Sequence, residues 1–221
     1  MSEKVKPSVW IFGDQLNVNV SSLDGRSPED CRVLFVESQQ KIASKSWHAQ
    51  RQHLIVSAMS HFAGELREAG YEVDYRHARS AEEGLRIHCE DFAVGEVIAM
   101  APASWRARNL LKHLGVQLVP NHQFLCSAED FAAWSQTRKN MRMEDFYRWQ
   151  RKRFDVLMDD TQPEGGRWNF DAENRKPPPK DGRSWPALRQ FPLDQTDVDV
   201  SQRLPDSWGS GPNGTWPVNR Q

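Results

Sequence analysis

Polar side chains follow several apolar runs of this chain, at the points where β-strands would end. Asp14 and Gln15 follow residues 8–12, and Glu37 follows residues 32–36. Ligands of open parallel sheets bind beyond the carboxyl ends of the strands, so a carboxylate and an amide there could hydrogen-bond a polar ring system or a ribityl chain. The alternatives are local. Asp14 could close a turn onto neighbouring N–H groups, and Glu37 could cap a helix or form a salt bridge.

Residue spacing excludes several other site chemistries. The turn FGDQL at 12–16 contains neither GxGxxG nor GxxxxGK(S/T), so its backbone cannot wrap a pyrophosphate closely. The seven histidines form no HxxxH pair, and His53 and His61 lie two turns apart on one predicted helix. That separation is too large for one metal ion unless a third element contributes ligands. No GxSxG nucleophile motif occurs. We therefore expect structural histidines and no metal site.

The composition is polar and almost neutral. The 221 residues have a mean hydropathy of −0.74 and a net charge of −1, which argues against a surface built wholly for nucleic acid. The longest apolar run near the amino terminus, residues 9–12, is too short for a signal peptide or a membrane span. The three cysteines are scattered and never in CxxC spacing. We therefore expect a cytoplasmic protein without disulfides or a membrane partner.

Apolar runs alternate with helical patterns through the first two thirds of the chain. Five short runs predict strands, and the segments between them show helical periodicity, which is typical of β-α-β units. We therefore predict an α/β fold with a Rossmann- or flavodoxin-like parallel five-stranded sheet and flanking helices, in a domain covering residues 1–159. The predicted strands are 8–12, 32–36, 71–75, 96–100 and 116–119, and the predicted helices are 47–69, 80–92, 104–114, 128–138 and 143–158.

The rest of the chain has a different composition. Residues 161–221 hold 9 of the 13 prolines and 6 of the 13 glycines. That share is too high for regular structure, so we predict a long, extended Pro/Gly-rich linker over residues 160–221. Its tryptophans would expose an apolar patch if nothing covered them. They are Trp168, Trp185, Trp208 and Trp216.

Two segments near this boundary carry unusual polar groups. Residues 138–153 hold seven basic and two acidic side chains, which could neutralise phosphates or pair within the molecule. The segment GGRWNFDAENR at 165–175 surrounds two aromatic side chains with charged and amide groups. It is either a contact surface for a partner or a loop whose polar groups satisfy one another.

Taken in order, several segments resemble the photolyase-related proteins of the cryptochrome/photolyase superfamily, in the bacterial iron–sulfur branch that includes prokaryotic (6-4) photolyases. The resemblance covers nearly the whole chain, and its most specific part runs from 143 to 177. The matching segments are FGDQL at 12–16, VLFVES at 33–38, SAMSHFAGELREAGYEVDYR at 57–76, FLCSAEDFAAW at 124–134, MEDFYRWQRKRFDVLM at 143–158, GGRWNFDAENRKP at 165–177 and WPVNR at 216–220.

The resemblance implies a longer protein with three parts: an α/β antenna domain, an interdomain linker, and a helical domain that binds FAD, a 4Fe-4S cluster and the DNA lesion. Gln221 stands about where the helical domain would begin. We therefore expect FAD and the cluster only in that absent domain, so this chain alone should be inactive. The complete protein would be a light-dependent DNA repair lyase or a cryptochrome-like photoreceptor. Its partners would be damaged DNA and, for this chain, a separate helical FAD-domain chain.

The resemblance also implies positions for a lumazine-type antenna chromophore. These are Asp14, Gln15, Val36, Glu37, Lys41 and Ser44. Four positions depart from the lumazine-binding pattern and argue against antenna binding, because lost carboxylates and rings remove contacts to a polar ring system. Lys41 replaces an acidic residue, Ser44 an aromatic one, Ser60 an arginine and Ala101 a glutamate.

The loop at 165–175 matches the family fully. In the family it lies between the domains near the DNA-facing side, so the resemblance implies a DNA-proximal role for four residues, Arg167, Asn169, Asp171 and Arg175. A second reading needs no catalysis. The chain could be a flavodoxin-like module that binds a small aromatic chromophore or a partner protein.

Overall fold

The computed structural model describes residues 5–172, 174–175, 177, 179–184, 186–211 and 214. The chain forms two compact units. Unit 1 comprises residues 1–123 and 188–221, and unit 2 comprises residues 124–187. Among the positions singled out in the sequence, Trp185, Trp216 and the motif at 216–220 lie outside the described residues.

Unit 1 is built on a five-stranded parallel sheet. The strand order is β3-β2-β1-β4-β5, and every pairing is parallel. This is the Rossmann order, in which the chain reverses direction across the sheet between β1 and β4. The structure thus confirms the predicted α/β fold and selects the Rossmann alternative. The strands are β1 (Ser8–Trp10), β2 (Arg32–Ser38), β3 (Glu72–Ala78), β4 (Val97–Met100) and β5 (Gln117–Val119).

The helices of unit 1 begin at polar caps. The Ser80 and Ser104 side chains accept hydrogen bonds from the N–H groups three residues on. The second helix begins at Ala49 instead of residue 47 because His48 Nδ1 caps the N–H of Gln50. The helices are α1 (Gln39–Ile42), α2 (Ala49–Glu68), α3 (Ala81–Phe92) and α4 (Trp105–His113), with a 3₁₀ turn at Ser21–Leu23.

Alternating residues of the central strands supply two separate cores. Val9 and Phe35 pack on one face with Phe62 and other residues of α2. Trp10 and Leu34 pack on the opposite face with side chains of α3 and α4. This period-two alternation covers both faces of the sheet with helices, as parallel sheets require.

A buried polar series ties β1, β3 and α3 together. The Ser8 Oγ and His88 Nε2 atoms are 2.7 Å apart, and His88 Nδ1 is 2.5 Å from Asp74 Oδ2. Ser8 and His88 are fully buried, so this Ser-His-Asp series fastens elements and has no access to a substrate. Burial alone would raise the pKa of Asp74, but hydrogen bonds from His88 and Arg76 outweigh it and lower that pKa.

The described residues of unit 2 form two helices and a short hairpin. Four rings pack together between the helices, with centroids 5.1–5.9 Å apart: Phe131, Trp134, Phe146 and Trp149. The helices are α5 (Ala128–Gln136) and α6 (Met143–Phe154), followed by the antiparallel strands β6 (Met158–Asp159) and β7 (Gln162–Pro163) and a 3₁₀ turn at Glu164–Gly166.

Two elements depart from the predictions by more than the positions of their ends by a few residues. Helix α6 ends at Phe154, short of the predicted residue 158, because Asp155 takes a left-handed conformation with φ of 53°. The Pro/Gly-rich segment predicted to be extended contains a helix, α7 (Gln195–Arg203). These nine residues include neither proline nor glycine, and a capping box between Asp194 and Asp197 starts them. No helix in the described part of the chain is long and apolar enough to cross a membrane.

Gly84 sets the distance between α3 and the sheet. A Cβ at this position would lie 2.5 Å from Val36 Cγ1. We predict that Gly84→Ala lowers the free energy of unfolding by roughly 1–3 kcal/mol, because the helix must move off β2. The matched control is Gly64→Ala in α2, where a Cβ meets nothing within 4 Å. That variant should gain about 0.5–1 kcal/mol from helix propensity. Urea denaturation measures both, and equal effects would contradict the close packing.

Candidate functional site

The end of β1 places Asp14 and Gln15 beside the reversal between β1 and β4. Asp14 is exposed, and its backbone carbonyl accepts a hydrogen bond from Gln123 Nε2 at 2.6 Å. Gln15 is buried, and its Nε2 donates to the Met100 carbonyl at 3.0 Å. The Gln15 Oε1 atom is also buried and has no hydrogen-bond partner among the described residues. The Gln15 side chain therefore links the turn after β1 to the end of β4.

Glu37 at the end of β2 is neutralised within the molecule. Its carboxylate is 7% exposed, and it accepts hydrogen bonds from Tyr75 Oη at 3.0 Å and Arg203 Nη2 at 3.1 Å. His77 Nδ1 is 3.4 Å away. Burial and the nearby Glu37 charge both raise the pKa of Tyr75, so the phenol stays protonated and keeps donating.

The remaining predicted antenna positions lie in two different places. Val36 packs against Gly84 on the α3 side of the sheet, opposite to Glu37. The Lys41 N–H donates to Ser38 Oγ at the start of α1, and Ser44 Oγ donates to the Lys41 carbonyl at 2.7 Å. Lys41 and Ser44 are therefore neighbours in one exposed turn, whereas Val36 faces away from them.

A cavity of about 390 Å³ adjoins that turn. Its volume lies within the range of small-molecule sites. The sequence alone does not predict this cavity, because its two walls are separated by about 150 residues. The tryptophans that line both walls, Trp47 and Trp208, are the sequence feature that could have indicated it. The walls are formed by Ile42, Ala43, Lys45, Ser46, Trp47 and Gln52 on one side and by Pro205, Asp206, Ser207 and Trp208 on the other.

Backbone pairing holds the two walls together. The Ala49 N–H donates to the Trp208 carbonyl, and the Trp208 indole Nε1 donates to the Ser46 carbonyl, both at 2.9 Å. The His48 ring meets the Trp208 ring edge-on, with centroids 4.6 Å apart. Gly209 follows with φ of +89°, and a Cβ there would lie 2.1 Å from His48 Nε2. Only glycine fits this close approach.

Gln52 lines the cavity with a buried amide side chain. It is 8% exposed, and its Oε1 atom is buried without a hydrogen-bond partner among the described residues. A buried amide oxygen left unpaired is costly, so a ligand N–H or O–H there would be favoured. The Trp47 and Trp208 rings supply apolar faces beside it, and the Arg51 guanidinium lies 4.4 Å from the Trp47 ring centroid. This combination of one amide and two indoles suits a small, polar ring system.

Unit 2 forms a second candidate surface around Trp168. The guanidinium groups of Arg148 and Arg151 and the Lys152 ammonium lie 5.4–5.5 Å from the Trp168 ring centroid. Arg151 is buried and donates to the Trp168 carbonyl at 3.3 Å and to the carbonyls of Val156 and Leu157. The basic helix α6 therefore shapes the loop that follows it.

Part of the basic charge is paired internally. Arg148 bonds Glu144 at 3.3 Å, and Arg153 bonds Asp130 at 2.8 Å. Hydrogen bonds to Arg153 and Ser127 lower the pKa of Asp130. Arg138, Lys139 and Arg142 are exposed.

The predicted DNA-proximal residues all lie on the surface of unit 2. The Arg167 guanidinium stacks over the Phe170 ring, 4.4 Å from its centroid. Asn169 Nδ2 donates to Glu144 Oε1 at 3.3 Å, and the Asp171 carbonyl accepts from the Asn174 N–H. Arg175 is exposed, while Glu173 of the same motif lies outside the described residues. The structure thus brings Arg167, Asn169 and Asp171 into one loop next to α6.

Comparison with known proteins adds an independent observation. Residues 9–216 match the family of deoxyribodipyrimidine photo-lyase-related proteins. A (6-4) photolyase of Agrobacterium fabrum is 32% identical to this chain, over 96% of the chain and 45% of that relative. The chain therefore spans less than half the length of this curated relative. The family match includes the sheet, both cavity walls and the loop at 165–175.

The geometry around Gly209 generates a test of the cavity. We predict that Gly209→Ala separates the two walls, because the new methyl group would overlap the His48 ring. Amide hydrogen exchange at Ala49, whose N–H is donated to Trp208, should accelerate at least about tenfold. The matched control is Gly211→Ala, where a Cβ meets nothing within 4 Å, and it should leave that amide unchanged. Equal protection in both variants would contradict the described wall.

Proposed function

The chain belongs to the deoxyribodipyrimidine photo-lyase-related protein family, and from this premise we propose that it forms the antenna-type α/β part of a light-dependent DNA repair or photoreceptor protein. Family membership confirms the resemblance inferred from the residues. The Rossmann-order sheet and the adjoining cavity support the more specific role. The observation that carries it is the buried Gln52 Oε1 atom, which has no hydrogen-bond partner among the described residues, in a cavity that Trp47 and Trp208 also line.

A lumazine-type chromophore is the proposed ligand of the cavity, whose lining does not include the four positions that depart from the lumazine-binding pattern. When bound, such a chromophore supplies absorption in the near-UV to blue region. Gln52 Oε1 would accept a hydrogen bond from a ring N–H or a hydroxyl, and Trp47 and Trp208 would cover the ring faces. Lys41 and Ser44, in the adjoining turn, would contribute only where the ligand extends beyond the cavity. Glu37 acts indirectly in this proposal, through Arg203 and the helix that carries it.

The residues of this chain do not fit a 4Fe-4S cluster. Cys31 is buried in the core on the α2 side of the sheet, whereas Cys89 packs with the core on the opposite side. Cys126 belongs to unit 2. A cluster needs several thiolates around one centre, which these positions do not provide. We therefore propose that FAD, the cluster and the repair of damaged DNA depend on a helical domain outside residues 1–221, for which a separate chain is one source.

The loop at 165–175 is the proposed DNA-proximal surface. Support comes from its exposed Arg167, held by Phe170, and from the net charge of +5 over residues 138–153. Guanidinium groups that face a duplex neutralise phosphates and release counterions, so such contacts are salt-dependent. Phosphate contacts of this kind would position DNA without reading its sequence.

The antenna proposal predicts a bound chromophore that depends on Gln52. Purified full chain, equilibrated with a ribityllumazine and freed of excess, should show an absorption band above the tryptophan region that heat denaturation releases into the supernatant. Gln52→Leu should weaken binding of this probe at least about tenfold, because a buried oxygen loses its ligand partner. Gln40→Leu, at an exposed position outside the cavity, should bind like the wild type.

A spectrum with only the tryptophan band, at saturating probe concentration, would overturn the antenna role. It would leave the family assignment intact and favour the alternative of a module that binds a partner protein. Equal binding by the two glutamine variants would place the chromophore elsewhere on unit 1.

The DNA-proximal proposal predicts a salt-dependent contribution from Arg167. Fluorescence anisotropy with UV-irradiated duplex DNA should show that Arg167→Ala weakens binding and lowers the salt slope by about 1. Arg183→Ala is the control, because this arginine is also exposed but lies outside the loop at 165–175. Equal slopes for the two variants would remove Arg167 from the DNA contact.

A further inference from the structure

Helices α2 and α7 bring together a group of metal-ligating side chains that sequence spacing alone kept apart. His61 Nε2 lies 2.7 Å from Asp194 Oδ2. One ligand atom each from His61, Asp194 and Asp197 lies within 4.8 Å of the other two. The spacing of His53 and His61 predicts no metal site unless a third element contributes ligands. Helix α7, which the sequence does not predict, is such an element for His61.

Both nitrogens of the His61 ring are held in place. Its Nδ1 atom is 2.8 Å from the Ser57 carbonyl, which can only accept, so Nδ1 carries the proton of that hydrogen bond. Its Nε2 atom is hydrogen-bonded to Asp194 Oδ2 at 2.7 Å, as in an imidazolium–carboxylate pair. A divalent metal ion would take the place of the Nε2 proton between these two atoms. Metal-bound histidines likewise have their second ring nitrogen fixed by a backbone carbonyl.

Asp197 supplies a buried carboxylate oxygen that accepts no hydrogen bond from the described residues. Its side chain is 1% exposed. One oxygen, Oδ2, accepts the Asp194 N–H at 3.0 Å, whereas Oδ1 has no hydrogen-bond partner among the described residues. His53 Nε2 lies 3.6 Å from Oδ1 and closer, at 3.2 Å, to the Asp197 carbonyl. A buried carboxylate oxygen without a partner is costly, and coordination would remove that cost.

The capping box orients both carboxylates without using all their oxygens. Asp194 Oδ1 accepts the Asp197 N–H at 3.1 Å, and the reciprocal bond uses Asp197 Oδ2. Asp194 Oδ2 is thereby free to pair with the His61 ring, and Asp197 Oδ1 is left without a hydrogen bond from the described residues. Local backbone geometry therefore sets the two donors in place before any ion binds.

We propose that His61, Asp194 and Asp197 form a binding site for a divalent transition-metal ion that fastens α7 to α2. One imidazole nitrogen and two carboxylate oxygens are the donors expected for Zn²⁺ or Mn²⁺, and the absence of thiolate disfavours soft ions. Three protein ligands leave at least one position for water. His53 is a positioning residue here, since its Nε2 faces the Asp197 backbone. No catalysis is assigned to the site.

The site would act on the antenna edge through α7. Arg203 at the end of this helix reaches Glu37, and residues 205–208 after it form one cavity wall. Fixing the start of α7 therefore limits the movement of both. The proposal does not depend on the chromophore or on DNA, so it can succeed or fail without them.

Calorimetric titration of Zn²⁺ into the untagged, chelator-treated full chain tests the proposal. We expect one saturable site, with Mg²⁺ binding much more weakly. Asp194→Asn is the first variant, because asparagine caps a helix as well as aspartate does. It should weaken Zn²⁺ binding at least about tenfold, and His61→Gln should do the same. The matched control, Asp199→Asn, makes the same chemical change at an exposed position of α7 and should bind within about twofold of wild type.

Two further measurements separate ligation from folding. Zn²⁺ should raise the melting temperature of the wild type and of Asp199→Asn, but not that of Asp194→Asn, and chelator-treated proteins should melt cooperatively in each case. Co²⁺ should give visible absorption bands in the wild type that His61→Gln lacks. Equal Zn²⁺ affinities for Asp194→Asn and Asp199→Asn would overturn the site, as would the lack of saturable binding in the wild type.

Discussion

The burial of Glu37 is the constraint on which the arrangement of unit 1 depends. A carboxylate at 7% exposure has lost most of its water and needs cationic or hydrogen-bonding partners. Tyr75 provides one from the neighbouring strand, but the cation comes from Arg203, 166 residues along the chain. Because Arg203 pairs with this charge, α7 lies against α2, and residues 205–208 after α7 lie against the turn at 46–49. Both the cavity and the proposed metal site exist because of this return.

The sheet and the segment from α7 to Trp208 are stabilised in different ways. Strands β1, β2 and β4 are buried on both faces, and their apolar residues alternate between two cores, so their positions follow from the hydrophobic effect. The segment around α7 has one fully buried apolar side chain, Val200, and it meets α2 through polar groups, among them His53, His61 and Asp194. Polar contacts of this kind are directional, so an atom stays unpaired where no donor or acceptor of the protein reaches it. Gln52 Oε1 and Asp197 Oδ1 are such atoms, and they are the ones from which ligand binding was inferred.

Family membership and local geometry support different levels of the functional conclusion. The family is shown by the match over residues 9–216, and it accounts for the Rossmann-order sheet and the loop at 165–175. The role of this particular chain rests on the cavity beside Trp47 and Trp208. The six antenna positions inferred from the resemblance remain predictions, since the structure divides them between the β1–β4 crevice, the two faces of β2 and the turn after α1.

The sequence by itself determined the elements whose signals are local. The five predicted strands form the parallel sheet, and the segment 143–177 identified the family, because periodicity and motifs are properties of neighbouring residues. Helix α7 was missed because proline and glycine around it dominate the average composition. The cavity, the Glu37–Arg203 pair and the grouping of His61 with Asp194 and Asp197 join residues more than 130 positions apart. Only the tertiary structure decided these, because nothing in either segment alone specifies which distant charge or wall it will meet.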